Sequence, residues 1–573
     1  MCGIVGFAFR EPFTAKEILK ALKRLEYRGY DSFGYADNSG ACIKRVGEIA
    51  VNAMPASLSS TAVVHTRWAT HGGITETNAH PHLDCTGDTA IVHNGIISNY
   101  KELRNEMEAA GHTFRSQTDS ETIAHFFEGK DVKKVMPEFF SRFQGEFAVL
   151  LIRKGDKKIY AFKRGSPLVL GIAEGGNIAA SDIYAFSNKT NKAIFFNEDE
   201  FAEITPEDFK FYSIGESATP IVKEITLFTW KEGDELGKYP HYMIKEIKEI
   251  PRAAARLLLS LQAEQKPVVE KMVEMMKSAK RVIFVASGSS YHAALMGVQF
   301  LARAGTEARA IVASEFRSFM ILDEQTLAVA VSQSGETMDV IEAMRGIKAK
   351  GVKIASLVNV PYSTVQRMST VHLNIAAGQE VCVAATKTFV NQVIAIAYIA
   401  SMAGYKADFA SLDGCIAKAF LQEEKIKEIA AELKDKRDIY ILGRGISYPV
   451  AREIALKLKE IAYVHAEGMM AGELKHGTLA LIEQDTPVIC LMPKNDKDII
   501  SSAEEVRARG ARVIAFAANS YDSGDAVKLE STDAMTFSLS AAIAGQLLTY
   551  HLAKIKGLPI DKPRNLAKSV TVR

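Results

Sequence analysis

Two segments of this chain repeat one another. Arg281-Val282-Ile283-Phe284-Val285-Ala286-Ser287-Gly288-Ser289-Ser290-Tyr291 and Asp438-Ile439-Tyr440-Ile441-Leu442-Gly443-Arg444-Gly445-Ile446-Ser447-Tyr448 each run from an apolar strand through a glycine-containing turn to Ser-Tyr and a helix. From Arg281 to Asp438 the offset is 157 residues, one domain's worth. Around both segments, long Ala/Leu/Glu/Lys helices alternate with short apolar strands. A parallel neighbour strand needs a crossover connection, and a helix is the usual one. The repeat therefore predicts two tandem copies of one parallel-sheet α/β unit.

The chain before the repeat has a different texture. Thr61–Thr66, Thr89–His93 and Glu146–Leu151 read as strands, and 15–26 and 120–128 as amphipathic helices, which predicts an α+β sandwich. The charged stretch Lys231–Lys238 is expected to be a linker. With 573 residues the chain exceeds one core and predicts about three domains. A formal net charge of +2 gives no sign of a nucleic-acid or acidic-membrane partner. No apolar run approaches a membrane span, and Met1–Val5 lacks a basic leader. Cys2, Cys42, Cys85, Cys382, Cys415 and Cys490 are scattered without a C-x-x-C pair, which argues against a disulfide framework or zinc ribbon and suits a reducing cytoplasm.

Cys2 follows the initiator methionine. Trimming would put a thiol and an α-amine on one residue, with ordinary pKa values of about 8.5 and about 7.7–8.0, so the amine can take the thiol proton. A buried structural cysteine is the alternative. Arg67, at the end of a strand, suits a carboxylate or a surface ion pair. Asn94 and Gly95 offer a side-chain amide and a backbone N–H for an oxyanion. Asp119 suits an ammonium group, although Thr118-x-x-Glu121 is also a capping box. An arginine for a carboxylate and an aspartate for an ammonium describe an α-amino acid site. His71, His80, His82 and His93 have no Cys or carboxylate at a ligand spacing, so no metal is expected.

In the repeat region Val331-Ser332-Gln333-Ser334-Gly335-Glu336-Thr337 ends an apolar run and opens a helix, an arrangement that cradles a phosphate; Ser289-Ser290 stands at the equivalent place one strand earlier. Neither G-x-G-x-x-G nor a P-loop is present, which disfavours nicotinamide and ATP chemistry. Glu453, Lys457 and Glu460 form one helical stripe and Ile454, Leu458 and Ile461 another. By spacing alone this is a surface helix with a Glu–Lys pair.

Cys2-Gly3-Ile4-Val5-Gly6, Glu26-Tyr27-Arg28-Gly29-Tyr30-Asp31-Ser32, His65–Gly72 and His93-Asn94-Gly95 together resemble the N-terminal-nucleophile (class II) glutamine amidotransferases. The second part resembles sugar isomerase (SIS) domains, present twice, and Lys238–Ile247 matches the start of that half. The full set resembles the glutamine–fructose-6-phosphate aminotransferase family. The resemblance implies an α/β/β/α sandwich over 1–230, a linker at 231–250, flavodoxin-like SIS domains at 251–418 and 419–560, and a catalytic tail at 561–573.

It also implies roles. Cys2 would be the nucleophile and Asn94 and Gly95 the oxyanion hole. Arg67, Thr70, His71 and Asp119 would hold glutamine, and Trp68 would gate ammonia. Ser289, Ser290, Ser332, Gln333, Ser334, Thr337, Val383, Glu453, Lys457 and Ala567 would surround the sugar phosphate. Glu460 would be the isomerisation base, His476 the ring-opening group supplied by a neighbouring subunit, and Lys568 the Schiff-base lysine with its pKa lowered by burial. The family implies no cofactor and a homodimer or larger. One departure stands out: Cys382 replaces the family's usual glycine and Ala385 a serine that contacts the sugar. A different ketose phosphate is therefore one alternative acceptor, and a sugar-phosphate-sensing regulator is another. Amidophosphoribosyl transfer needs a phosphoribosyl-pyrophosphate loop with paired acidic residues, which is not found in the sequence.

Overall fold

A computed structural model describes residues 2–53, 58–69, 71–228, 235–319, 322–519, 521 and 525–570. The chain forms two compact units, one of residues 1–233 with 569–573 and one of residues 234–568.

The first unit is built on two antiparallel sheets of eight and seven strands. In the larger, Gly3–Thr14 runs between Gly176–Ala180 and Leu58–Arg67. In the smaller, Thr89–Ile97 pairs with Gly145–Arg153 over its whole length. Alternation along these strands divides their side chains between two cores. Val92, Ala148 and Leu150 meet Ile4, Ala8 and Val63 of the other sheet. Ile91, Val149 and Leu151 point to the opposite face, against Ile123, Phe126 and Phe139 of the helices that cover it. Helix Ala15–Lys23 buries Ile18, Leu19 and Leu22 outside the larger sheet. The layers are α/β/β/α.

Two helices here escape sequence reading. Tyr100–Ala109 buries only Leu103 and Met107, too sparse a stripe to stand out. Val132–Arg142 contains Pro137, normally a breaker. The helix expected over 15–26 ends at Lys23, and Glu26 lies in a 3-10 turn where its buried carboxylate accepts the Ile49 N–H at 2.8 Å.

The second unit holds two five-stranded parallel sheets of identical order. The first runs Ala308–Val312, Arg281–Ala286, Thr326–Ser332, Lys353–Val358, Val371–Asn374. The second runs His465–Met470, Asp438–Gly443, Pro487–Met492, Arg512–Ala517, Ala526–Lys528. Both have the flavodoxin-like 2-1-3-4-5 order, whose switch point lies between the first and third strands. The buried helix Ala534–Ile555 packs against Ser447–Ala462.

The linker expected over 231–250 is too long. Residues 229–234 lie outside the described residues, but Tyr242–Lys248 is a helix with Met243, Ile244 and Ile247 in the core of the second unit. Its first N–H groups, on Tyr242 and Met243, donate to the Asp561 carboxylate at 2.9 Å each. A cap so distant in sequence leaves no local signal.

Candidate active sites

In the first unit, Cys2 stands at the start of the central strand Gly3–Thr14. Its Sγ accepts the Trp68 N–H at 3.3 Å, and the thiol reaches the Trp68 carbonyl at 3.6 Å. Burial pushes the thiol pKa up, opposed in part by the Trp68 N–H and the Arg67 charge. The resting thiol is therefore protonated near neutrality and needs a base.

Cys2, Arg67, Trp68, His71, Gly95 and Asp119 line one small cleft. Arg67 is 4% exposed, which removes the surface-ion-pair reading. Its guanidinium donates to the carbonyls of His71, Gly72 and Gly73, holding that loop in place. Asn94 donates from Nδ2 to the Cys2 carbonyl at 3.0 Å, while its buried Oδ1 has no partner. Gly95 has φ +136°, and a Cβ there would lie 1.9 Å from the Glu146 carbonyl oxygen. Only glycine lets the backbone pass. Asp119 accepts the Ile97 N–H at 2.7 Å through Oδ2. Thr70 lies outside the described residues.

A second bland reading also falls. Thr118 and Glu121 form no capping box: Glu121 accepts the N–H groups of Arg115 at 2.8 Å and Ser116 at 2.7 Å. Of the histidines, His80 and His93 are buried in the lining of the cleft and His82 packs against His80, with His93 Nδ1 2.8 Å from Ser120 Oγ and His82 Nε2 3.1 Å from Thr118 Oγ1. Burial pushes all three down from the usual histidine pKa, so they are neutral.

In the second unit the two Ser-bearing turns of the first sheet meet at its switch point. Ser332 Oγ accepts the Gly335 N–H at 3.0 Å and Ser334 Oγ the Glu336 N–H at 3.1 Å, shaping a tight turn. Gly335 has φ +64°, and a Cβ would fall 2.1 Å from Ser363 Oγ. Thr337 stands at the N-cap position of helix Met338–Ala349 without a side-chain capping bond, and Gln333 in the same turn is half-buried. Ser290 Oγ accepts from Gln392 at 2.9 Å. Ser289 Oγ donates to Glu453 at 2.8 Å, so the first copy's turn is joined to the second copy's helix.

That helix, Ser447–Ala462, is not a surface helix. Glu453 and Lys457 are each 1% exposed. Glu453 also takes His292 Nδ1 at 2.7 Å, and Lys457 pairs with Glu460 at 2.6 Å. Burial works to raise the Glu453 pKa, but Lys457 and His292 outweigh it and the carboxylate stays below its usual range. The two copies have diverged. In the second, Arg444 at the equivalent turn is paired with Asp496 and Asp498, and no serine cradle forms there.

The C-terminal segment is fastened to this unit. The Asp561 carbonyl accepts the Val383 N–H at 3.1 Å, and the Tyr463 hydroxyl accepts the Arg564 N–H at 2.6 Å. Lys568 Nζ lies 2.5 Å from Glu380 Oε2. Glu380 also accepts from the Thr386 N–H, the Thr388 N–H and the Thr388 hydroxyl. Against burial, Lys568 and these bonds pull its pKa down to about 2. Lys568 thus has a buried carboxylate as its partner. Ala567 and Ala385 are half-buried. His476 is exposed at the end of the 3-10 segment Ala471–His476.

Sequence reasoning missed Glu380, Glu246 and His292. Glu246 is 1% exposed, its Oε1 accepts the Val381 N–H at 2.5 Å and the Cys382 N–H at 3.2 Å, and its Oε2 has no hydrogen-bond partner. Burial and then the Glu380 charge push its pKa up to about 8. Its sequence signal was slight, because Glu246 stands between Lys245 and Lys248 in a helix that reads as ordinarily charged.

Comparison with known proteins covers the whole chain. A glutamine amidotransferase domain model matches residues 65–188, and a SIS domain model matches 275–402 and 432–553. The isomerizing glutamine–fructose-6-phosphate aminotransferase of Thermococcus kodakarensis is 40% identical over 609 aligned positions, covering 100% of both chains. The protein of that name from Aquifex aeolicus is 37% identical, again over 100% of both. Among solved structures, the C-terminal domain of glucosamine-fructose-6-phosphate aminotransferase from Francisella tularensis aligns with TM-score 0.54 and 32% identity, covering 58% of this chain and 100% of that one.

Proposed function

Since the chain belongs to the family of isomerizing glutamine–fructose-6-phosphate aminotransferases, we propose how its own residues divide the reaction. The enzyme makes glucosamine 6-phosphate and glutamate from glutamine and fructose 6-phosphate. With Cys2 as the terminal residue, its α-amine takes the thiol proton and Sγ attacks the glutamine carboxamide carbon. Asn94 Nδ2 and the Gly95 N–H stabilise the oxyanion. Arg67, Thr70, His71 and Asp119 hold the amino acid. Ammonia leaves beside Trp68, and water hydrolyses the γ-glutamyl thioester to glutamate.

At the sugar site, the Ser289–Ser290 and Ser332–Thr337 turns receive the phosphate and Val383 and Ala567 flank the chain. His476 of a second copy opens the ring; a homodimer or larger assembly follows. Lys568 condenses with the C2 carbonyl, releasing water, and ammonia then displaces the lysine. Glu460 takes a proton from C1 and returns one to C2, while Glu453 and Lys457 position it. The observation that supports this reading is the bonded series Ser289–Glu453–Lys457–Glu460, in which buried Glu453 and Lys457 link the Ser289 turn to the half-buried Glu460 carboxylate. Six free cysteines suit a reducing cytoplasm.

Mass analysis of the product from amide-labelled glutamine and fructose 6-phosphate tests it: label in glucosamine 6-phosphate is expected. Cys2→Ala abolishes that transfer, and Lys568→Ala lowers turnover more than sugar binding. Normal glutamine use by Cys2→Ala overturns the amide mechanism. Ala385 favours one second reading, another ketose phosphate as acceptor, which a panel of such substrates would expose by a higher kcat/KM.

A further inference from the structure

Four side chains from three separate segments of the first unit turn their donor atoms toward one point. Cys85 lies in the turn between His82–Leu83 and Thr89–Ile97, His112 follows helix Tyr100–Ala109, and His125 and Glu128 lie on and just after helix Glu121–Phe127. Their donor atoms all lie within 4.8 Å of one another. Cys85 Sγ is 3.7 Å from His112 Nδ1 and 3.5 Å from His125 Nδ1. Glu128 Oε2 is 2.9 Å from His112 Nδ1 and 3.4 Å from His125 Nδ1.

These separations can be compared with what an ion requires. Zinc bonds of about 2.3 Å to sulfur and about 2.0–2.1 Å to nitrogen and oxygen, set tetrahedrally, put ligand atoms roughly 3.3–3.6 Å apart. Three of the four measured edges lie within about 0.2 Å of that span; the fourth, His112 to Glu128, needs to open slightly.

The surroundings match a ligand shell. The Thr113 N–H donates to Cys85 Sγ at 3.3 Å, as backbone amides do to metal thiolates. His125 is 1% exposed at its side chain; its outer Nε2 has no hydrogen-bond partner and lies 3.6 Å from Glu121 Oε1. A metal-bound imidazole donates its second N–H to such a carboxylate. Among the described residues no other group of three or more such side chains converges in this way. None of its members belongs to the set His71, His80, His82 and His93, and the donors are 27, 13 and 3 residues apart, so only the fold gathers them.

We propose that Cys85, His112, His125 and Glu128 form a four-coordinate structural site for a divalent transition-metal ion of the zinc class. Binding releases the Cys85 thiol proton to solvent; thiolate and carboxylate then neutralise the ion, and both imidazoles bind through Nδ1. With four protein ligands there is no open position for catalysis. The ion would tie the Cys85 turn and the His112 loop to the helix that begins just after Asp119 and Ser120, which line the Cys2 cleft.

The test is titration of the chelator-stripped full chain, carrying Cys2→Ala to remove one of the three partly exposed thiols, with cobalt(II) and then zinc(II). The expected result is one cobalt per chain, with the intense visible bands of four-coordinate cobalt and a thiolate-to-cobalt charge-transfer band, displaced by one equivalent of zinc. Zinc at a hundredfold excess over its Kd raises the first thermal transition by roughly 5–10 °C. Cys85→Ser removes the charge-transfer band, and Glu121→Gln weakens binding about 10-fold. No saturable binding by the Cys2→Ala chain, or a spectrum that Cys85→Ser leaves unchanged, overturns the proposal. The first of these needs no substitution within the cluster.

Discussion

Lys568 Nζ and Glu380 Oε2 lie 2.5 Å apart, with their side chains 4% and 0% exposed. A lysine near the end of the chain is thereby anchored to a carboxylate 188 positions earlier. The pair holds Lys568 in place, with the Glu380 carboxylate against its Nζ.

Glu380→Gln leaves a buried ammonium without its anion. Removing one partner of such a pair costs about 3–5 kcal/mol. Sugar turnover should fall at least 100-fold, while glutamine hydrolysis at Cys2, in the other unit, stays within about twofold. Parallel assays of glutamate and glucosamine 6-phosphate check this.

Glu246 carries a pH signature. Its pKa is raised from 4.5 to about 8. Folded, it binds more protons than unfolded across that window, so its contribution to stability falls as pH rises from 4.5 to about 8 and is level above. Glu246→Gln removes this loss. Thermal midpoints of the variant should fall less between these limits than those of the unsubstituted chain; parallel curves would show that Glu246 does not titrate there.

The Cys2 thiol is pushed up by burial. Alkylation of Cys2 by iodoacetamide should still be accelerating above about pH 8.5, where an ordinary thiol levels off. Peptide mass mapping across a pH series measures the site-specific rate.

Gly95→Ala places a methyl group 1.9 Å from the Glu146 carbonyl oxygen at φ +136°. A strain of about 1–3 kcal/mol is expected, and the backbone shift that relieves it moves the N–H offered to the oxyanion. Glutaminase kcat should drop about 100-fold with a smaller change in KM.

Ala385→Ser restores a hydroxyl in the Glu380–Thr388 loop. A single added hydrogen bond is worth about 0.5–1.5 kcal/mol. The KM for fructose 6-phosphate should fall roughly 2- to 10-fold, and the KM for glutamine should not change.

Much of the architecture was legible in order and period. The repeat at Arg281 and Asp438 specified two parallel units, because an apolar strand, a glycine turn and a helix are all local choices. The apolar runs Thr89–His93 and Glu146–Leu151, bounded by Gly, Asn or Asp, marked strands. Cys2, Asn94 and Gly95 were likewise readable, since each sits in a short motif. What the chain order could not decide was which side chains are dry and which distant groups face them. The stripe Glu453–Lys457–Glu460 reads as solvated by spacing, yet Glu453 and Lys457 are 1% exposed because another domain's helix, carrying Ser289 and His292, covers them. Glu380 meets Lys568, and Asp561 caps the helix at Tyr242, only after the chain closes on itself. Burial and charge pairing depend on the distance between atoms in space, and separations of over a hundred residues leave no periodic trace in sequence.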